Sequence, residues 1–145
     1  MGDLSKDINS KFSSEKMKVF INIKYTANWL SSLESDFFKP FNISSQQYNV
    51  LRILKGAGKK ITVNAVKDRM IERSPNTTRM MDKLCEKNFI ERERCENDRR
   101  VVYVNITDKG LKLVNQIPIE VLENEIEKIT EKEAETLNFL LDKIR

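Results

Sequence analysis

The sequence predicts a mainly α-helical protein that carries one small β-hairpin. Three observations predict it. Apolar residues recur every third or fourth position along most of the 145 residues, the spacing of amphipathic helices. Near the middle the period changes to two over a pair of short β-rich runs. Positive charge concentrates in the same stretch: residues 52–100 hold fourteen Lys/Arg against eight Asp/Glu, whereas residues 101–145 hold six against nine. A basic middle of this kind suits a polyanionic partner, and it also suits a solvated charged face.

Composition narrows the function classes. The chain is long enough to bury one core without disulfides or metals, and 33% charged residues imply a heavily charged surface. No run approaches the roughly 20 apolar residues of a membrane span. Residues 1–18 lack the apolar core of a signal peptide, so the expected location is cytoplasmic. There is no histidine, and the cysteines are two, Cys85 and Cys95. A zinc site wants more N and S ligands than two thiols, and a His-based nucleophile is excluded. The carboxylates stand among Lys and Arg at helix-pair spacing. The expectation is a protein that is not an enzyme and needs no cofactor.

The first long helix is expected over 14–38. Met17, Phe20, Ile23, Ala27, Leu30, Leu33 and Phe37 form one stripe, with Ile21, Tyr25 and Trp29 beside it. Two stripes imply packing on two things, its own domain and a partner chain or ligand. Pro40 ends it. The next helix starts at Ser44, whose spacing to Gln47 is that of a capping box. It buries Tyr48, Leu51 and Leu54, and Gly56 and Gly58 break it. A short helix follows over 62–72 with Thr62 as N-cap. Ser74 and Pro75 then suit the cap and first position of another helix, which continues through Met80, Met81, Leu84 and Cys85. Two short helices so joined make a helix-turn-helix candidate. Residues 89–94 and 101–106 read as the hairpin, with Val102, Val104 and Ile106 inward and a polar tip from Cys95 to Arg100. Thr107 caps a helix with Leu111, Val114, Ile117 and Val121 on one face and a kink expected at Pro118. Thr130 and Glu133 form a second capping box. It opens a last helix with Ala134, Leu137, Leu140, Leu141 and Ile144 inward.

Two groups of residues carry function in this pattern. The helix beginning at Ser74-Pro75 presents Asn76, Thr77, Thr78 and Arg79 on its first turn. Short hydrogen-bonding groups and a guanidinium there suit reading of base edges in a major groove; Ser, Asn and Thr equally suit plain capping. At the hairpin tip Asp98, Arg99 and Arg100 stand together. An Arg on a two-stranded ribbon suits the minor groove, and Asp98 suits a carboxylate pair holding one Arg extended; polar tips are also usual in hairpins. A helix-turn-helix followed directly by a basic-tipped hairpin accounts for both groups at once.

From Ile61 to Gly110 the chain resembles the MarR family of bacterial transcriptional regulators. Ser74-Pro75-Asn76-Thr77-Thr78-Arg79, then Met81-Asp82-Lys83-Leu84, is similar to the family's recognition helix. Asn88-Phe89-Ile90-Glu91-Arg92 resembles its strand entry. Asp98-Arg99-Arg100 and Val104-x-Ile106-Thr107-x-x-Gly110 resemble the wing and its exit. Asn88 replaces the usual Gly, and Lys67 a frequent Ala. The resemblance implies a winged helix-turn-helix fold with N- and C-terminal dimerisation helices. It implies that residues 1–145 would form a single domain, with the DNA-binding lobe at about 42–106 and the dimerisation helices at about 8–38 and 108–145. It implies a homodimeric regulator, a repressor in the first instance, on a near-palindromic double-stranded DNA operator. Arg100 would enter the minor groove, oriented by Asp98; Asn76, Thr77 and Arg79 would meet the major groove or its phosphates, and Lys83 and Lys87 phosphates. It implies a small phenolic or lipophilic effector, with Tyr25, Trp29 and Phe37 as pocket candidates that also fit plain packing. Redox sensing at Cys95 is not expected. The alternative is a winged-helix adaptor for proteins, or an RNA-binding module. The narrow groove of duplex RNA would leave residues 76–79 little to read.

Overall fold

The computed structural model describes residues 2–71, 76–98 and 100–145. The expectations placed on Ser74, Pro75 and Arg99 therefore lie outside the described residues. The order is α1 (Leu4–Asp7), α2 (Glu15–Phe38), a 3-10 turn (Lys39–Phe41), α3 (Ser45–Ala57), β1 (Ile61–Thr62), α4 (Val63–Arg69), α5 (Thr77–Glu86), β2 (Ile90–Arg94), β3 (Val102–Ile106), α6 (Asp108–Gln116), α7 (Glu120–Asn124) and α8 (Glu131–Ile144). The mainly α fold with a β wing is as the sequence predicts.

Helix starts follow their caps. Ser14 Oγ accepts from the Met17 N–H at 3.1 Å, and Thr62 Oγ1 from the Ala65 N–H at 3.1 Å. Both expected capping boxes form, Ser44 with Gln47 and Thr130 with Glu133. Each satisfies two backbone donors that a helix start leaves open. The ends are equally local. Gly58 closes α3 at φ +62°, a left-handed conformation that costs glycine nothing. Asn88, at φ +57°, closes α5 where a glycine would be usual. There the Phe89 N–H reaches Leu84 O and the Asn88 N–H reaches Cys85 O, the paired bonds of a Schellman ending.

Four features differ from the sequence reading. A short helix α1 precedes the long one, and its four residues give too little periodicity to read. A third strand exists: β1 pairs antiparallel with β3, Ile61 opposite Val104. The sheet order is thus β1-β3-β2, and two residues are too few to show alternation. The helix after Thr107 stops at Gln116, with Ile117 extended, because the ring of Pro118 disfavours a helical residue before it. What resembled a kink is a break, and Val121 lies exposed on α7. Finally, the apolar face of α8 is not inward within this chain: Leu137, Leu140 and Ile144 are all exposed.

The core gathers around α3, whose Val50, Leu51 and Leu54 are buried against Val66 of α4, Met81 and Leu84 of α5, Ile90 and Val104 of the sheet, and Val114 of α6. A buried Leu or Val contributes roughly 1.5–3 kcal/mol relative to exposure, so this one cluster binds every element of the central lobe. By contrast α2 leaves Met17, Phe20, Ile23, Tyr25, Trp29 and Leu30 exposed. No helix among the described residues is long and apolar enough to cross a membrane.

Candidate nucleic-acid interface

Helix α5 is pinned by Met80, Met81 and Leu84 on its buried face. This fixes which side chains face outward: Asn76, Thr78, Arg79 and Lys83 are exposed. Thr77, expected beside them at the groove, is instead 1% exposed. It stands one residue from the cap and turns inward. Sequence spacing alone did not separate the inward Thr from the outward one.

Beside the core packing of Ile90 on Met81 and Leu84, one polar side chain of the hairpin reaches α5. Arg92 of β2 donates through one terminal nitrogen to Asp82 Oδ1 at 2.5 Å and through the other to Thr78 O at 3.0 Å. A guanidinium suits this task because its planar fork serves two acceptors at once. One guanidinium thus bridges the turn carrying Thr78 and the strand leading to the wing. On the far side of the sheet Lys60 pairs with Glu93 at 2.6 Å and lies over the Tyr103 ring. The hydrogen bond to Glu93 raises the Lys60 pKa.

At the wing tip the Cys95 N–H reaches Val101 O, and the Val101 N–H reaches Asp98 O, both at 2.9 Å. Asp98 Oδ1 accepts from the backbone N–H of Arg100 at 2.9 Å. Among the described residues no ion pair joins Asp98 to the Arg100 guanidinium, and the other arginine expected to suit such a pair, Arg99, lies outside them. With one residue between them, the carboxylate reaches the main-chain donor more readily than the end of a long side chain. Arg100 is left exposed. Burial pushes the Cys85 thiol up, which disfavours the reactive thiolate; Cys95 is half-buried at the wing base.

Two clefts flank α5. One of about 290 Å³ brings Thr78, Arg92 and Arg100 together with Asn64 at the start of α4. The other, of about 920 Å³, is lined by Asn76, Arg79, Lys83 and Lys87 on one side. The proposed pocket residues line neither. Tyr25 and Trp29 are each 44% exposed on α2, and Phe37 packs edge-on against Phe38 with ring centroids 4.9 Å apart. Sequence reasoning missed Arg92 as the link between wing and helix. Its only signal was a strand position pointing to one face, with no hint of the partner.

The sequence model of the family "Transcriptional regulator SarA/Rot" matches residues 32–117. The multiple antibiotic resistance protein MarR of Salmonella typhimurium is 34% identical over 116 residues, covering 77% of this chain and 80% of that protein. The HTH-type transcriptional regulator PecS of Dickeya dadantii is 27% identical over 112 residues, covering 74% of this chain and 68% of that one. A crystal structure of a mutant E. coli MarR complexed with operator DNA superposes with a TM-score of 0.78 at 27% identity, covering 99% of both chains. With its outward-facing α5 turn, its tethered wing and these relatives, the chain belongs to the MarR family of DNA-binding winged helix-turn-helix transcriptional regulators.

Proposed function

We propose that the protein acts as a homodimeric repressor of a near-palindromic operator. Each chain lays the first turn of α5 in the major groove, with Asn76, Thr78 and Arg79 at base edges or phosphates and Lys83 at the backbone. Arg100 enters the adjacent minor groove; Ser74, Pro75 and Arg99 flank these contacts in sequence. Thr77 takes no part in contact, being buried. The observation that carries this reading is that Thr78 of the recognition helix and Arg100 of the wing line one cleft. A duplex presenting major and minor grooves in succession fits such a pair. The second chain is supported by the exposed apolar faces of α2 and α8, Phe20 at 59% and Leu140 at 49%, since water-exposed faces of this kind mark association surfaces. A two-fold dimer sets the recognition helices roughly 34–36 Å apart, one turn of DNA. A small phenolic or lipophilic effector would sit where α2 meets the partner chain, because Tyr25 and Trp29 are open on the single chain.

The test is selection of bound duplexes from a random library, followed by anisotropy at fixed salt. Arg100→Ala is expected to lose about 1–3 kcal/mol, the range of a base contact, with unfolding unchanged. Equal affinity of variant and wild type would remove the wing from the interface. Recovery of no two-fold site would remove the dimeric operator.

A further inference from the structure

The larger cleft is more than the flank of α5. Its first wall carries Arg79, Lys83 and Lys87, spaced by four residues along one face of the helix. Like charges at that spacing destabilise a helix, and successive ones stand one turn, about 5.4 Å, apart. Lys83 and Lys87 suit the negative end of the α5 dipole, but Arg79, on the first turn, gains nothing from it. Lys87 is held in place by donating to Asn42 O, so the ridge extends to the end of α5. The opposite wall is built from the end of α2 and the start of α3 and adds a fourth cation, exposed Lys39. Among the described residues lining the cleft, Asp36 is the one carboxylate.

The positive end of the α3 dipole also opens here, because residues 44–47 line the same wall. Ser44 Oγ accepts from the Gln47 N–H at 3.2 Å. A hydroxyl used as an acceptor keeps its own proton to donate. The cleft thus offers cations on both walls and a hydroxyl donor between them, a chemistry suited to phosphate. It is also continuous with the proposed base-reading turn, since Asn76 and Arg79 line it.

We propose that this cleft takes the sugar–phosphate backbone of the DNA strand beside the recognition helix. Lys39 and Ser44 hold phosphates from the wall opposite Arg79, Lys83 and Lys87. The inference rests on the DNA-binding reading and enlarges its footprint to the junction of α2 and α3. A free phosphate-bearing small molecule shares the same chemistry, so the experiment separates the two sources.

Binding of a mixed-sequence duplex is followed by anisotropy across a salt series for wild type, Lys39→Gln and, as a control outside the cleft, Lys112→Gln. Each phosphate neutralised contributes roughly 0.9 to the slope of log K against log salt. Lys39→Gln is expected to reduce the slope by about one and to weaken all sequences alike, and Lys112→Gln to change neither. Calorimetry with inorganic pyrophosphate is expected to give no saturable heat. An unchanged slope for Lys39→Gln, with wild-type binding intact, overturns the inference and leaves the DNA reading standing. A saturable pyrophosphate heat lost in Lys39→Gln without a slope change assigns the cleft to a small anion and also overturns it. Absence of duplex binding by the wild type overturns both.

Discussion

Asp98 holds Arg100 by its backbone, the carboxylate accepting the Arg100 N–H at 2.9 Å, while the guanidinium extends from an exposed position. The acid therefore orders the tip without occupying the group that would meet DNA. A direct ion pair would have to be broken on binding, and this arrangement would not. Asp98→Ala is expected to weaken operator binding about 5-fold, equivalent to the roughly 1 kcal/mol of one hydrogen bond. Asp98→Asn, which keeps an acceptor oxygen, should recover most of it. Anisotropy at fixed salt checks this, and equal loss in both variants would show that charge, not the backbone bond, is what matters.

Arg92 joins β2 to α5 through Asp82 and Thr78 O. Asp82 is half exposed, so solvent screens the pair and its coupling is expected to be only about 0.5–1 kcal/mol. A double-mutant cycle of Arg92→Lys and Asp82→Ala on urea unfolding measures it. Arg92→Lys cannot serve two acceptors in a plane. It should therefore reduce operator affinity more than it reduces stability. A loss confined to stability would mean that the wing keeps its place without this link.

Gly110 sits in the first turn of α6 against the α5–β2 connection. A methyl group there would overlap the Phe89 carbonyl oxygen and stand 2.8 Å from Ile106 Cγ1. The Phe89 carbonyl cannot yield easily, because it also accepts the Thr107 N–H at 3.1 Å. Gly110→Ala is expected to cost about 1–3 kcal/mol through overpacking, read as a lower urea midpoint. An unchanged midpoint would show that α6 can slide away from the sheet.

Leu140→Arg places a charge on the exposed face of α8. Within one chain this should leave the central lobe intact, since α8 contributes no residue to the buried cluster. Sedimentation is expected to show the wild type at twice the chain mass and the variant at the chain mass. A variant that stays dimeric would put the interface elsewhere.

Burial raises the Cys85 pKa above its ordinary value. The thiolate fraction at neutral pH is correspondingly lower than for a free cysteine, and labelling follows the thiolate. Cys85 is expected to react with a disulfide reagent more slowly in the native Cys95→Ser variant than after unfolding in urea. Equal rates would mean that the site opens readily.

The local grammar of the chain is written in its residues. Ser14, Ser44, Thr62, Thr107 and Thr130 begin helices because a side-chain oxygen accepts the backbone N–H three residues on, and that bond is local. The alternation of 102–106, the caps and the clustered charge were enough to show a helix-turn-helix with a basic wing. Everything that depends on which face meets which neighbour waited for the tertiary structure. Thr77 and Thr78 look alike in sequence, yet packing of Met80, Met81 and Leu84 turns one inward and the other out. Arg92 and Asp82 are ten residues apart and meet only because β2 folds back on α5. Lys39 comes to face the basic ridge of α5 across more than forty residues of chain. The outward face of α8 shows the same limit: periodicity marks a stripe as apolar, but whether its own core or a second chain covers it is a question of three-dimensional packing.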